Sequence, residues 1–276
     1  MIQTDYHLHC RFSTDSETPP EEQALSEARK GIREICFTDH DDPGYSTGEF
    51  QLDYQSYFKG IADAREALKD RIRIHTGLEL GLRPDFPAEI RAAARACPWE
   101  FIIGSTHVVD GYDPYYPEYW IGKTANEGMR RYYEYTLENI RTYDCFDVYG
   151  HLDYLVRYIP ADRRADYDPS ADRDIVDEIL RTLIARGKGI ECNTGGYRCG
   201  LGRPNPGIEI LTRYRELGGT ILTIGSDGHR PEHTALHFSD VPAILRAAGF
   251  KEYTIFRDRK PVWISLDGDG ANNPAE

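Results

Sequence analysis

The sequence alternates short runs rich in β-branched and apolar residues with longer stretches whose apolar residues recur at helical spacing. The runs that predict β-strands cover residues 2–7, 34–38, 72–78, 101–106, 148–151, 189–193 and 220–226. Helices are predicted over residues 20–30, 57–69, 125–143, 170–186 and 208–217. Because strands that alternate with helices form mainly parallel sheets, seven such units predict a distorted, TIM-like (β/α)7 barrel of the α/β class. A doubly wound open sheet is the alternative.

The chain shows no sign of division into several domains. It contains no internal repeat and no linker rich in glycine, proline or serine. We therefore expect a single barrel domain over residues 1–267. Residues 268–276 are rich in glycine and asparagine and predict a flexible C-terminal tail.

Each predicted strand ends in, or directly before, a side chain that can bind a metal ion. These strand-end residues are His7, His9, Asp39, His40, Glu79, His107, His151, Asn193, Asp227 and His229. In a parallel barrel the carboxyl ends of the strands meet at one rim, where active sites lie. Residues two apart on a strand share a face, so His7 and His9 can point to the same place. The sequence predicts a metal centre at this rim, with Asp15 folding back over it from a polar loop.

The expected ligands are imidazoles and carboxylates without a thiolate, a set that suits catalytic Zn, Mn or Fe(II) better than a structural zinc site. Other histidines are expected to have ordinary roles. His75 lies four residues before Glu79, deeper in the barrel, and is expected to be a core residue. His233 and His237 lie on a polar segment beyond the last predicted strand and are expected on the solvated surface.

Motifs of other hydrolases and of nucleotide-binding proteins are absent. The sequence contains neither G-x-x-x-x-G-K-[ST] nor G-x-G-x-x-G, and residues 225–228 lack the spacing of a nucleophile elbow. A cysteine phosphatase loop at Cys10 would need an arginine where Ser16 stands. Since no activated serine or cysteine is evident, a metal-bound hydroxide is the expected nucleophile.

The formal net charge of −13 argues against nucleic acid as a partner and for a small substrate, since nucleic-acid binding depends on basic side chains. An anionic substrate is compatible with this charge because bound metal ions reverse the local field. The six cysteines form no C-x-x-C pair and are expected to be reduced. No apolar run reaches the ~18 residues of a membrane span, and no signal peptide is recognisable, so a cytoplasmic protein is predicted. The oligomeric state is not indicated.

Six short motifs, in this order along the chain, resemble those of the polymerase and histidinol phosphatase (PHP) superfamily. They are His7-Leu8-His9, Thr38-Asp39-His40, Glu79, Gly104-Ser105-Thr106-His107, Gly150-His151-Leu152-Asp153 and Gly225-Ser226-Asp227-Gly228-His229. Residues 101–105, 110–111 and 193–198 are most similar to the histidinol-phosphate phosphatase branch. Asp15 stands where many relatives have histidine and where the phosphatase branch commonly has aspartate.

The resemblance implies a distorted seven-stranded barrel with three divalent ions, which would be Zn, Mn or Fe. Carried over by position, one ion would take His7, His9, Glu79 and Asp227. A second would take Glu79, His107 and His151, and the third Asp15, His40 and His229.

The resemblance also implies a phosphomonoesterase that hydrolyses L-histidinol phosphate, a step of histidine biosynthesis, by means of a metal-bound hydroxide. Arg157 and Arg198, just past the fifth and sixth predicted strands, are the candidates for binding phosphate. The candidate catalytic residues are Asp227, His229 and Arg198. The expected rim residues that would recognise the rest of the substrate are Asp41, Asp42, Tyr112 and Trp120.

Three alternatives remain open at this point. A phosphodiesterase or exonuclease of the same superfamily would share the metal ligands, but the acidic charge counts against it. A deaminase or amidase on a similar barrel also begins with H-x-H, although such enzymes often bridge their metals with a modified lysine rather than a glutamate. A non-catalytic, metal-binding regulatory module would be expected to have lost ligands, and none of the expected positions is lost.

Overall fold

The computed structural model describes residues 1–45 and 48–267, so the predicted tail over 268–276 lies outside the described residues. The strands are β1 (Thr4–Leu8), β2 (Glu34–Phe37), β3 (His40–Asp41), β4 (Arg73–Gly81), β5 (Phe101–Ser105), β6 (Val148–Tyr149), β7 (Gly189–Asn193), β8 (Leu222–Gly225), β9 (Glu252–Arg257) and β10 (Lys260–Ser265). The helices are α1 (Pro20–Arg29), α2 (Tyr54–Leu68), α3 (Pro87–Ala96), α4 (Ala125–Thr142), α5 (Arg173–Ala185), α6 (Gly195–Arg198), α7 (Ile208–Glu216) and α8 (Val241–Ala247).

Seven parallel strands form a nearly closed barrel, as the sequence predicts. Their order is β1-β2-β4-β5-β6-β7-β8, and the short β3 pairs with the upper end of β4. The barrel closes where β1 meets the end of β8: the amide of Asp227 donates to the carbonyl of His7 at 2.9 Å, and the amide of His9 donates to the carbonyl of Gly228 at 3.0 Å. This closure brings the two ends of the barrel sequence side by side, each with side chains that are predicted to bind metal.

The helices cover the outside of the barrel because each has one apolar face. In α4, for example, Met129, Tyr132 and Tyr133 are buried against the barrel. Thr124 and Glu127 start this helix with reciprocal side-chain to backbone hydrogen bonds, which satisfy amides that the first turn would leave unpaired. Gly31, Gly187 and Gly218 follow α1, α5 and α7 with positive φ, so each ends its helix as the sequence suggests.

An antiparallel hairpin of β9 and β10, which was not predicted from the sequence, closes the lower end of the barrel. Its turn consists of Asp258 and Arg259, both with positive φ (48° and 64°), where glycine or asparagine usually marks such a turn. Phe256 of the hairpin packs on Phe101 with ring centroids 4.9 Å apart. The hairpin therefore seals the apolar interior at the end opposite the predicted metal centre.

The same lower end holds a buried polar network around Glu34. The Glu34 carboxylate accepts hydrogen bonds from Tyr6 Oη at 2.7 Å and from both terminal nitrogens of Arg257 at 2.7 and 2.8 Å, and it lies 3.1 Å from His75 Nε2. The other ring nitrogen of His75 lies 2.6 Å from Glu100 Oε1. His75 is thus a satisfied buried residue, and the prediction that it does not belong to the metal centre is confirmed in its location.

Among the described residues, no helix combines the length and apolar character that crossing a bilayer requires.

The Glu34 network makes stability depend on pH in a defined direction. Burial opposes ionisation, but hydrogen bonds from His75 and Arg257 outweigh it and lower the pKa of Glu34 from 4.5 to about 2. A depressed pKa stabilises the fold above the unfolded-state value, and this stabilisation is lost as the pH falls from 4.5 toward 2. Between about pH 5 and pH 3, metal-free wild type should lose roughly 2 kcal/mol more stability than the Glu34→Gln variant.

Urea unfolding at a series of pH values measures this difference. Glu66→Gln is the matched control because Glu66 is exposed and its ion pair among the described residues is with Lys69, the C-cap residue of the same helix. In that control the free energy of unfolding should depend on pH as it does in the wild type. The same pH dependence in wild type and Glu34→Gln would contradict the lowered pKa of Glu34.

Candidate metal centre and active site

Glu79 lies at the centre of the upper rim, fully buried, and its two oxygens face five imidazoles. Oε2 lies 3.1 Å from His7 Nε2, 3.4 Å from His9 Nε2 and 3.1 Å from His40 Nδ1. Oε1 lies 3.2 Å from His107 Nε2 and 2.9 Å from His151 Nε2. One carboxylate therefore joins two groups of imidazoles, which is the arrangement that a carboxylate bridging two ions requires.

Asp227 and Asp15 extend this cluster toward solvent. Asp227 Oδ1 lies 3.6 Å from His9 Nε2 and 4.0 Å from His7 Nε2. Asp15 Oδ2 lies 3.0 Å from His229 Nε2 and 3.7 Å from His40 Nε2, and the Asp15 side chain is 41% exposed. The polar loop after β1 thus folds back over the centre at its mouth, and all nine residues predicted as ligands come together.

The arrangement fits divalent metal ions by an independent test. Three buried ring nitrogens at the centre lie near carboxylate oxygens but form no hydrogen bond with them, namely His9 Nε2, His40 Nδ1 and His229 Nε2. Unpaired buried polar atoms are costly unless another partner binds them. Ligand atoms within 4.8 Å of one another form the groups His9–His40–His229, His7–Glu79–His151, His7–His9–Asp227 and His40–Asp42–His107. Imidazoles with carboxylates in open groups of this kind suit Zn and related transition metals in catalytic sites.

Four of the imidazoles are fixed by a contact at Nδ1, which leaves Nε2 facing the cluster. The Nδ1 partners are Glu191 Oε1 for His7 (2.7 Å), Ser13 Oγ for His9 (3.1 Å), Asp42 Oδ1 for His107 (3.0 Å) and the carbonyl of Asp227 for His229 (3.0 Å). Such outer contacts set the tautomer and the ring orientation of metal-binding histidines.

Sequence reasoning missed Glu191 and Ser13 in this role. Glu191 lies two residues before Asn193 on β7, on the same face, so strand alternation was the available signal. Ser13 was seen only as part of a polar loop. The strand-end residues Asp39 and Asn193 also serve the scaffold: Asp39 Oδ1 accepts from the amides of Cys10 and Ser13 at 2.9 Å each, and Asn193 Oδ1 accepts from the amide of Gly195.

Charge compensation holds the carboxylates of the centre in their ionised form. Burial opposes ionisation of Glu79, yet His7, His40 and His107 hold its pKa well below its usual value. Burial likewise opposes ionisation of Asp227, but Arg198, His7 and His229 hold its pKa well below the usual range. The centre therefore presents anionic oxygens to whatever binds there.

Arg157 and Arg198 open into the same cavity as the histidines and Asp227. Arg157, on a 3-10 turn over Tyr154–Tyr158, is buried; its Nη1 lies 3.6 Å from Asp227 Oδ2, and its Nε lacks a hydrogen-bond partner. Arg198 Nη1 donates to the carbonyl of Asp227 at 2.6 Å, and its side chain is 23% exposed. Both cations thus lie beside the outer edge of the centre.

Of the predicted rim residues Asp41, Asp42, Tyr112 and Trp120, the structure places Asp42 in the lining of the central cavity and the other three outside it. Asp41 is buried and accepts from Tyr54 Oη, Asp42 is buried against His107, and Trp120 is buried with its Nε1 donating to the carbonyl of Pro114. Tyr112 is exposed but lines a neighbouring groove. Besides Asp42, the wall of the central cavity includes Tyr45, Phe50, Asp113, Tyr154 and Tyr158. The sequence does not indicate the direction in which a side chain of a loop points.

Comparison with known proteins gives a consistent result. A model of the PHP domain family matches residues 5–195. The histidinol-phosphatase of Lactococcus lactis subsp. lactis (strain IL1403) is 32% identical over 94% of this chain and 96% of its own length. A probable histidinol-phosphatase of Thermotoga maritima is 29% identical over 95% of this chain and 99% of its own length.

A solved structure of the Lactococcus lactis histidinol phosphate phosphatase, in complex with Zn, L-histidinol and phosphate, superposes with a TM-score of 0.88 at 31% identity. It covers 94% of this chain and 98% of the solved chain. A structure from Listeria monocytogenes has a TM-score of 0.74 at 18% identity, covering 86% of this chain and 98% of its own, and supports the fold alone.

Metal binding should be visible as added stability. A ligand that binds only the folded protein at 100 times its Kd adds about 2.7 kcal/mol, which raises the Tm of a chain of this size by roughly 5–10 °C. We expect this shift when Zn²⁺ is added to metal-free protein and monitored by thermal unfolding. His9→Asn should lose at least half of the shift, because His9 contributes to two of the ligand groups.

His237→Asn is the control, since His237 is exposed and stacks on Tyr197 outside the centre. A Zn²⁺ shift that is the same in His9→Asn and in wild type would contradict the placement of the centre.

Proposed function

This chain belongs to the PHP domain family, and on that premise we propose that it is a metal-dependent phosphatase that hydrolyses L-histidinol phosphate to L-histidinol and phosphate. The observation that carries the proposal is the Glu79-centred cluster of imidazoles and carboxylates, with two arginines opening into the same cavity. The likeness to the Lactococcus lactis enzyme over nearly the whole of both chains supports the substrate.

The centre would hold three divalent ions, of which Zn is the one named for the related structure. His7, His9, Glu79 and Asp227 would hold the first, Glu79, His107 and His151 the second, and Asp15, His40 and His229 the third. The distances from Glu79 to both imidazole groups support its bridging position. Bound ions of this kind activate water as a nucleophile and neutralise phosphate oxygens.

Arg157 and Arg198 would bind the phosphate of the substrate. A guanidinium matches phosphate oxygens in planar, two-point hydrogen bonds. The unpartnered Nε of Arg157 is a donor available for this contact. Asp227 contacts both arginines and so orients them toward the centre.

The two remaining catalytic candidates would have different roles. Asp227 has a pKa well below its usual value, so at neutral pH it carries no proton to give to the leaving group. His229 directs Nδ1 at the Asp227 carbonyl and only Nε2 at Asp15. Because one nitrogen cannot bind an ion and carry a proton at once, we assign His229 to ligation, and we assign Asp227 to orienting the arginines through Oδ2 in addition to its place at the first ion.

The cavity wall suits the cationic half of histidinol phosphate. Asp113 offers a carboxylate near the aromatic rings of Tyr154 and Tyr158. An ammonium or imidazolium would be attracted by the carboxylate and by the ring faces. The net charge of −13 argues against nucleic-acid phosphodiester cleavage, the rival within the family, because binding nucleic acid depends on basic side chains.

A substrate panel tests the proposal. Zn²⁺-loaded protein should release phosphate from L-histidinol phosphate with a kcat/KM at least 100-fold above that for simple alkyl phosphates, because only the former uses the cationic subsite. Single-stranded DNA should remain uncut under the same conditions. DNA cleavage without phosphate release from histidinol phosphate would favour the rival activity.

Arg198→Ala tests the phosphate contact. Loss of one donor to the charge that develops in the transition state should lower kcat/KM on the order of 100-fold while metal content stays unchanged. Phosphate release and elemental analysis measure the two quantities. Arg230→Ala is the matched control because Arg230 is a nearby exposed arginine. Unchanged turnover in Arg198→Ala would exclude Arg198 from the site.

A further inference from the structure

Glu191 is a fully enclosed carboxylate in the wall of the barrel, below the rim. It lies on β7, and its side chain is 1% exposed. Oε1 lies 2.7 Å from His7 Nδ1. Oε2 accepts from the amide of His151 at 2.9 Å and from Nδ2 of Asn193 at 3.2 Å. One side chain therefore contacts two of the residues that face Glu79, on opposite sides of the barrel closure.

Both oxygens of Glu191 are used in these contacts, so it does not act as a further ligand. No group of potential ligand atoms in the described part of the chain includes Glu191, whereas Asp42, which contacts His107 in a similar way, does occur in such a group. The role of Glu191 is therefore restricted to holding its neighbours.

The contact with the His151 amide matters because the backbone there is unusual. His151 has φ of 22°, a conformation that costs free energy for a residue with a side chain. The hydrogen bond from its amide to Glu191 Oε2 offsets that cost. It also fixes the position of the backbone from which the imidazole side chain extends.

Gly225 of β8 makes room for the pair. A Cβ atom at this position would lie 2.3 Å from Glu191 Oε1 and 2.3 Å from His7 Cβ. Only glycine allows the carboxylate and the imidazole to meet there, so β1, β7 and β8 each contribute to one contact.

We propose that Glu191 is a positioning residue of the metal centre, which fixes His7 in the Nδ1–H tautomer with Nε2 free to bind a metal ion and holds His151 at its backbone. The inference rests on the proposed function in that it assumes a centre that binds metal. A carboxylate that accepts from a ligand histidine fixes the ring and raises the basicity of the other nitrogen, and its loss typically costs 10–100-fold in metal affinity.

Glu191→Gln tests the proposal with little change of shape. An amide offers one oxygen and one NH2 group, so it cannot accept both from His7 and from the His151 amide. The Kd of the ion at His7 should rise 10–100-fold, measured by titrating metal-free protein with Zn²⁺ against a competing chelator. Saturating Zn²⁺ should restore most of the kcat, which a merely misfolded centre would not allow.

Glu100→Gln is the matched control. Glu100 Oε1 lies 2.6 Å from His75 Nδ1, and Glu100 Oε2 accepts from the amide and the hydroxyl of Thr76. Glu100 thus contacts one imidazole and one backbone amide, as Glu191 does, but at the opposite end of the barrel. Its Zn²⁺ affinity should stay within threefold of wild type. Unchanged Zn²⁺ affinity in Glu191→Gln would overturn the proposal, whatever happens to turnover.

A measurement on the wild type covers the case in which Glu191→Gln does not fold. Long-range ¹H–¹⁵N spectra of ¹⁵N-histidine-labelled, Zn²⁺-loaded protein report which ring nitrogen carries the proton. His7 should show a protonated Nδ1 and a metal-bound Nε2, and the reverse assignment would overturn the proposal. The Zn²⁺ affinity and the ring-nitrogen spectra are both measured without substrate. If the protein binds Zn²⁺ in this way but leaves histidinol phosphate intact, the proposed activity is refuted and the role of Glu191 is not.

Discussion

The structure depends on one buried carboxylate, Glu79, being surrounded by imidazoles instead of water. An isolated ionised carboxylate at full burial would cost far more than a fold of this size can offset. Here five ring nitrogens lie within 3.4 Å of its two oxygens, and the charges of His7, His40 and His107 hold its pKa well below the usual value. Positive charge at this point, whether from protons on the rings or from bound cations, is thus a condition for burying Glu79.

The barrel supplies that arrangement through its topology. Parallel strands end at the same rim, so side chains far apart in sequence reach one point without long loops. His7 and Asp227 are the extreme case, since the hydrogen bond between their backbones closes the barrel and also sets the spacing of two predicted ligands. The lower end, sealed by Phe256 and by the network around Glu34, contains no such convergence in the part of the chain described. Among the described residues, the groups of potential ligand atoms therefore lie at the upper rim.

The sequence predicted what depends on periodicity and on strand ends. Glu79 and His107 each come directly after an apolar run in the sequence. The prediction of a parallel barrel was therefore enough to place both at the same rim. Features that depend on side-chain direction could not be predicted: Asp42 turns inward to His107 because Gly81 leaves space for it, where a Cβ would lie 1.5 Å from Asp42 Oδ1. The β9–β10 hairpin was missed because its turn, Asp258-Arg259, uses positive φ without glycine. Glu191 was missed because an acidic residue within a strand interrupts the apolar pattern, and the sequence does not show its hydrogen-bond partners.

The charges around the cavity explain how an acidic protein can bind a phosphate. Asp15, Asp42, Glu79, Asp113 and Asp227 contribute five carboxylates to the lining, against the two guanidinium groups of Arg157 and Arg198. With neutral imidazoles this lining is net negative, and a phosphate dianion would be repelled. Divalent cations held by the carboxylates and histidines would reverse that sign locally, while the net charge of the chain stays acidic. The proposed selectivity for a small, partly cationic phosphate ester would follow, because its phosphate would meet the cations and arginines and its positive end would meet Asp113.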